Sequence, residues 1–276
     1  MFWGEHLHHG YWENGESIKR AQLKLMERLA EKASIPRGSH VLDIGCGLGG
    51  SAFWLANQYN SRVTGLTISP VQARLATRKA RAKGLADQVR FLVEDANFWQ
   101  PRPESVDVVW IMESSEHFRD KKDFFARCAS ALKQGGILAV CAWLRGEQPT
   151  REDDQELVDT IGQAMLSASL DTLSQYVNWM REANLQIETA KDITANIAPT
   201  WKYCSRMSER LPLRWLVRFA DAPTQRFVKS FPLMTEAYAN GAMAFGLFVA
   251  KKLPPTTEHP YLKMNRLPDP LTSQQT

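Results

Sequence analysis

Three titratable residues sit within five positions behind an apolar run. In "VDVVWIMESSEHFRDK" the run "VDVVWIM" is followed at once by Glu113, Glu116 and His117. A histidine ionises near neutral pH and is a natural base. A carboxylate beside it can orient the ring, assist deprotonation or stabilise a cation. Such a cluster suits aligning a reactant and removing a proton from it. Ser114 and Ser115 between them read as turn or cap residues.

A second cluster is built from glycine. In "VLDIGCGLGGSAFWLA" a strand ends near Asp43, Gly45, Gly47 and Gly49 follow, and a helix starts near Ser51. Glycine permits positive φ and close approach of a ligand to the backbone, and a helix N-terminus lies just beyond. The spacing G-x-G-x-G fits a dinucleotide fingerprint poorly, and the G-K-[ST] of a P-loop is absent. Asp43 before the glycines suits a ligand other than pyrophosphate. Its carboxylate can orient the loop or accept from an ammonium group. The next strand ends "GLTISPVQ", without an acid, and the third ends "VEDANFW", with Asp95 and Ala96.

A third stretch, "WGEHLHHGYW" at 3–12, carries three histidines and two tryptophans. His6, His8 and His9 raise the possibility of a metal site, but no Cys or carboxylate stands at a matching local spacing. No metal is expected; His8 and His9 read instead as residues that anchor the arm or line a pocket.

These clusters need a scaffold. Short apolar runs alternate with amphipathic stretches: "HVLDIGC", "RVTGLTI", "QVRFLVE", "VDVVWIM" and "ILAVCAW" read as strands. Between them, "SAFWLANQY", "SPVQARLATRKARAK" and "KKDFFARCASALK" read as helices, the last closed by Gly135-Gly136. This alternation predicts an α/β fold, a doubly wound parallel sheet with helices on both faces. Further on, "LDTLSQYVNWMREANL" reads as a helix, "QIETAKDIT" as a strand, 198–240 as helical and "GAMAFGLFVAKK" as a final strand. The insertion between the last two strands reads as a lid over the sheet's carboxyl edge, where ligands bind in open α/β sheets.

The motifs resemble a known family. D-x-G-x-G-x-G is similar to motif I of class I S-adenosylmethionine (SAM)-dependent methyltransferases. "GLTISPVQ" resembles the "GITLSPxQ" of γ-tocopherol methyltransferases and cyclopropane fatty acid synthases. "WIMESSEHFRDK" resembles the "WSMESGEHMxDK" of the tocopherol enzymes, and cyclopropane synthases carry a related "EHV". "WGEHLHHGYW", "NIAPTWKYC" and the closing segment match that family as well, so the resemblance covers nearly the whole chain. It implies a Rossmann-like, seven-stranded sheet with an N-terminal helical arm (1–35) and a SAM-binding core (36–144). The remainder of the core with its helical lid would occupy 145–253, and a loose tail 254–276.

It also implies site roles. Tyr11, Asp43, Gly45, Gly47, Thr67, Ile68, Gln72, Asp95, Ala96 and Met112 would bind SAM, with S-adenosylhomocysteine as product. Asp95 would accept from the adenine amine and Ala96 donate its N–H, while the Thr67–Ser69 backbone and Gln72 hold the ribose. His117, Glu113 and Glu116 would be catalytic. Trp12, Trp201, Trp215 and Phe219 would wall the pocket of a lipophilic acceptor. The expected reaction is C-methylation of a phenolic or isoprenoid compound. The alternatives are N-methylation, a cyclopropane-type lipid modification, or a protein that binds SAM or metal without catalysis. Ser115 for Gly, Phe118 for Met and the whole of 145–235 depart from the family where acceptor shape would be set.

Bulk properties fit a soluble globular protein: 44% hydrophobic and 23% charged residues, net charge +4. That mild excess does not argue for nucleic acid. Cys46, Cys128, Cys141 and Cys204 form no CxxC pair and read as reduced core residues, in keeping with a cytoplasmic protein. Arg206, Arg210, Arg214 and Arg218 recur every four residues and would share a helix face if the helix survives Pro212. Such a face could draw the protein to the periphery of a membrane.

Overall fold

The computed structural model describes residues 6–148, 151, 153–210 and 213–254. The chain opens with α1 (Ile18–Ala33), β1 (His40–Ile44), α2 (Gly50–Tyr59), β2 (Arg62–Thr67), α3 (Pro70–Ala82) and β3 (Val89–Val93). It continues with β4 (Val106–Met112), α4 (Lys121–Ala131), β5 (Leu132–Arg145), α5 (Asp154–Met165), α6 (Leu173–Glu182) and β6 (Leu185–Asp192). Five helices follow before the last strand: α7 (Thr194–Ile197), α8 (Pro199–Ser208), α9 (Leu213–Arg218), α10 (Ala222–Lys229) and α11 (Phe231–Asn240). β7 (Met243–Lys252) ends the described elements.

Local chemistry fixes the element ends. Ser17 caps α1, and Ser69 caps α3 by accepting from the Gln72 N–H, with Pro70 in the first turn, where proline's missing N–H costs nothing. Thr172 and Gln175 form a reciprocal capping box at α6. Strand β4 is buried along almost its whole length, as a central parallel strand requires.

The sheet order is β3-β2-β1-β4-β5-β7-β6. Helices cover both faces. Trp110, Phe53 and Phe245 centre the core on one face; Phe124, Phe125, Tyr176 and Phe248 centre it on the other. A third cluster, with Trp201, Phe231 and Met234, lies within the lid.

Three details differ from the expectations. First, the sheet is mixed: β7 pairs antiparallel with both β5 and β6. β6 delivers the chain to the carboxyl edge and α7–α11 stay there, so the next strand must run back. Second, α4 stops at Ala131 instead of the glycine pair, and Gly135 lies inside β5 with φ 71°. Third, α8 ends at Ser208 and α9 starts at Leu213. Arg206 and Arg218 therefore belong to separate helices. Pro212 itself, Trp3 of the N-terminal stretch and tail residues 255–276 lie outside the described residues. All four cysteines are free and buried. Among the described residues, no helix is long and apolar enough to cross a membrane.

Candidate active site

Strand order reverses between β1 and β4, and the crevice at their carboxyl ends is where an open α/β sheet binds ligands. A cavity of about 400 Å³ lies there, within the usual range for small-molecule sites.

Its floor is the glycine loop. The Gly45 and Cys46 N–H groups both donate to the Leu66 carbonyl, tying the loop to β2. Gly45 has φ 79°, and a Cβ there would stand 2.3 Å from the Ser114 Cβ. The loops after β1 and β4 therefore meet without space for a side chain. Ser114 Oγ donates to the Ile44 carbonyl at 2.7 Å and locks the contact. Gly47 (φ 53°) meets only Leu7 at 3.5 Å, so its backbone faces the cavity with little cover.

Polar groups ring this floor. Asp43 is 1% exposed yet lines the cavity, and its Oδ2 has no hydrogen-bond partner. Burial pushes its pKa up to about 7. An unpartnered buried carboxylate is costly, and a cationic ligand group would relieve it. Thr67 Oγ1 donates to Gln72 Oε1 at 2.8 Å, placing both side chains at the end of β2. Asp95 Oδ1 accepts from the Asn97 N–H and Nδ2 at 2.9 Å each. One acid for an ammonium group, a hydroxyl–amide pair and a second acid fit the donor set of SAM.

The opposite wall is the turn after β4, where residues 115–117 form one 3₁₀ turn. Glu113 has φ 54°, a left-handed conformation uncommon for a residue with a side chain. Its carboxylate is 4% exposed. Oε1 accepts from the His9 N–H at 2.8 Å, and Oε2 lies 2.7 Å from His9 Nδ1 and accepts from Trp143 Nε1 at 2.8 Å. Burial works to raise its pKa, but His9, His8 and the Trp143 N–H together outweigh that and hold it below the usual carboxylate value.

His117 is exposed on the cavity wall, and its Nδ1 lies 3.0 Å from the Leu166 carbonyl. A carbonyl only accepts, so Nδ1 is the donor in this contact, which in the neutral ring leaves Nε2 as the acceptor nitrogen. Loop 166–171 braces the turn: the Ala168 N–H donates to the Glu116 carbonyl at 3.0 Å. Buried Lys121 Nζ pairs with Asp171 at 2.7 Å and donates to the Phe118 carbonyl and Ser169 Oγ.

The N-terminal arm supplies the roof. His6, Leu7 and His8 line the cavity. Gln22 Nε2 donates to the His6 and His8 carbonyls. Thr200 Oγ1 at the start of α8 accepts from the Gly10 N–H and Trp12 Nε1. The His9 ring is enclosed by Trp143, Trp201, Tyr238 and Phe245, at centroid distances of 5.0–6.2 Å. His8 is buried, which lowers its pKa. Among the described residues, no group of three His, Cys, Asp or Glu can hold a metal.

The cavity thus gathers Asp43, Gly45, Gly47, Thr67, Ile68, Gln72, Asp95, Ala96, Met112, Glu113 and His117. Six other candidate residues lie outside its lining. Glu116 is 1% exposed behind the wall, where burial and then the Glu113 charge push its pKa up to about 8. A 3₁₀ turn has three residues per turn, so adjacent side chains diverge by about 120° and Glu116 cannot share His117's direction. Tyr11 packs under the Arg28 guanidinium, 5.7 Å from its ring centroid. Trp12 turns toward α8, and Trp201 is buried against His9. Trp215 and Phe219 pack on each other at the lid surface. Residues that the sequence reading did not single out for the site include Trp143, Thr200 and Ser114. In the sequence Ser114 reads as a turn residue, and the threonine of "NIAPTWKYC" carries no signal of its own. Trp143, at the end of a strand, carried no signal beyond its position.

Comparisons with known proteins converge. Residues 9–231 match the family described as mycolic acid cyclopropane synthetase. A probable chloroplastic tocopherol O-methyltransferase of Oryza sativa subsp. japonica is 34% identical over 93% of this chain and 75% of its own length. The 27-O-demethylrifamycin SV methyltransferase of Amycolatopsis mediterranei is 35% identical over 76% of this chain and 78% of its own. Among solved structures, a putative sarcosine dimethylglycine methyltransferase from Galdieria sulphuraria superposes with TM-score 0.79 at 20% identity, covering 91% and 94% of the two chains.

Proposed function

Since this chain belongs to the mycolic acid cyclopropane synthetase family and is a SAM-dependent methyltransferase, we propose that it methylates carbon of a lipophilic phenolic or isoprenoid acceptor, with His117 as base. When bound, SAM supplies a methyl group already activated by its positive sulfur. The chain's own residues then align the acceptor, exclude water and take up the proton that leaves. Asp43 would hold the SAM ammonium group, Thr67 and Gln72 its ribose, and Asp95 with Ala96 its adenine. His117 Nε2 accepts the acceptor's proton while the Leu166 carbonyl fixes the ring through Nδ1. Glu113 is a positioning residue: its carboxylate is occupied by His9 and Trp143, and it holds the arm over the cavity.

The observation that carries this reading is the 3.0 Å contact of His117 Nδ1 with the Leu166 carbonyl, on the wall of the cavity lined by Asp43 and the glycine loop. It orients the ring and, in the neutral form, leaves Nε2 as the basic nitrogen. His117→Ala is expected to lower turnover by about 10²-fold or more and to leave SAM affinity close to native. An equal loss of SAM affinity would move His117 into the cofactor site and end its assignment as base.

A second reading is transfer to oxygen, supported by the names of two relatives: the rice protein is named a probable tocopherol O-methyltransferase and the Amycolatopsis protein a 27-O-demethylrifamycin SV methyltransferase. Transfer to oxygen uses the same base on a hydroxyl group. An acceptor screen with labelled SAM across quinols, indoles, prenyl diphosphates and unsaturated lipids, read by NMR of the product, separates carbon, oxygen and nitrogen methylation from cyclopropanation.

A further inference from the structure

The outer lid carries a local surplus of positive charge. Residues 199–230 contain seven Lys or Arg and two acids, a surplus of five against +4 for the entire chain. Lys202, Arg206, Arg210, Arg218, Arg226 and Lys229 are all exposed. Of the two acids, Asp221 is engaged as the cap of α10, accepting from the Thr224 N–H at 2.9 Å. In the middle of this field stand two bare aromatic rings. Trp215 in α9 is 63% exposed, and Phe219, just past its end, is 71% exposed; their centroids are 5.0 Å apart. α10, which follows, has no buried residue. Scattered exposed apolar residues are ordinary, but a contiguous aromatic pair inside a one-signed field marks a contact surface.

We propose that this face docks on an anionic lipid surface. Trp215 and Phe219 enter the interfacial layer, and the surrounding guanidinium and ammonium groups face lipid phosphates. Charge complementarity selects this occupant over a second copy of the chain. A two-fold contact would set the same patch against itself and oppose one surplus of five with another.

The face is tied to the cavity. α8 leads into α9 and spans about 15 Å. At its start Thr200 holds Gly10 and Trp12 of the arm, and His9 of that arm rests on Glu113 in the cavity wall. A lipophilic acceptor leaving the bilayer beside α9 lies about one helix length from the arm that roofs the cavity. That last step rests on the proposed class of acceptor; the docking itself does not.

The test is flotation of the full chain with vesicles of phosphatidylcholine alone and of phosphatidylcholine mixed with phosphatidylglycerol, without SAM or acceptor. The native protein is expected to float with the mixed vesicles only, and to release as added salt shortens the screening length from about 10 Å to about 3 Å. The double variant Trp215→Ser/Phe219→Ser should lose at least about tenfold in partitioning. Arg218→Gln and Arg226→Gln should each lose roughly fivefold. Phe98→Ser, removing an aromatic that is 76% exposed beyond β3, should bind as the native protein does. Native circular dichroism and unchanged SAM affinity would show that the lid variants are folded. Partitioning of the double variant equal to native, or equal binding to both vesicle types, overturns the proposal. So does self-association that Trp215→Ser/Phe219→Ser abolishes, since a second copy would then cover the face. Failure here leaves the methyl-transfer reading standing, because the readout needs no turnover.

Discussion

At the scale of the residue, the site is a set of carboxylates pushed in opposite directions by their surroundings. Asp43 is raised to about 7 by burial alone, Glu116 to about 8 by burial and then Glu113, while Glu113 is held low by its histidine and tryptophan partners. Glu116 is therefore protonated at neutral pH behind the wall, and Glu113 is ionised beneath the arm. The sign for Asp43 follows from linkage. Its folded value lies above its unfolded one, so its contribution to stability is complete below about pH 4 and is lost as pH rises through about 7. Replacing Asp43 by Asn removes that slope. In denaturant titrations the variant should be more stable than the native protein at pH 8, by something on the order of 4 kcal/mol, while binding SAM more weakly. A variant that is destabilised at pH 8 would show that Asp43 has a partner in the free protein. Gly45 makes the opposite case. Gly45→Ala has to displace Ser114 and strain a positive φ, and should cost about 1–3 kcal/mol of stability or more.

At the scale of the element, the arm is the part most dependent on pH. His8 is held neutral by burial, so the stability it confers is full above about pH 6.5 and is lost as pH falls through its lowered folded value. Glu113, also depressed, acts in the same direction at lower pH. The protection factors of backbone amides in residues 6–12, normalised for the intrinsic pH dependence of exchange, should therefore fall on acidification from pH 8 to 5.5, ahead of those in strands β1 and β4. His9→Ala should give the same loss of protection at pH 8. Uniform exchange across arm and strands at both pH values would contradict a separately docked arm. The arm also shows how far the sequence could be read. The match of "WGEHLHHGYW" to the resembled family marks 3–12 as part of the site, and the motif glycines mark the loop. Which side chains face the ligand is legible only in part. His8 and His9 read as arm-anchoring or pocket-lining residues, and His8 lines the cavity while His9 holds Glu113. Tyr11 and Trp12 look the more apt for a pocket, yet both lie outside its lining. The choice is made by Thr200 and Gln22, contacts 188 and 14 residues away in sequence.

At the scale of the molecule, the β–α alternation made the layers and the carboxyl-edge site legible from the sequence, because hydrophobic period and helix caps are local. Strand polarity is not local. The apolar run of β7 is the same read in either direction, and only the lid's return to the carboxyl edge makes it antiparallel. Trp201, Trp215 and Phe219 likewise look alike in sequence and end up buried, exposed and exposed. If the β1–β4 crevice is the SAM site, saturating SAM at about 100 times its Kd adds about 2.7 kcal/mol. Thermal unfolding should then move up by about 5–10 °C, with a smaller shift in Asp43→Asn at the same concentration.

The most direct test of this site is calorimetric titration of SAM into the native protein and into Asp43→Asn at pH 6 and pH 8. A free carboxylate with a pKa of about 7 predicts one site per chain, about tenfold tighter at pH 8 than at pH 6. The asparagine variant should bind more weakly and with that difference abolished. Native-like affinity in Asp43→Asn with the pH dependence intact would contradict the account and place SAM elsewhere on the chain.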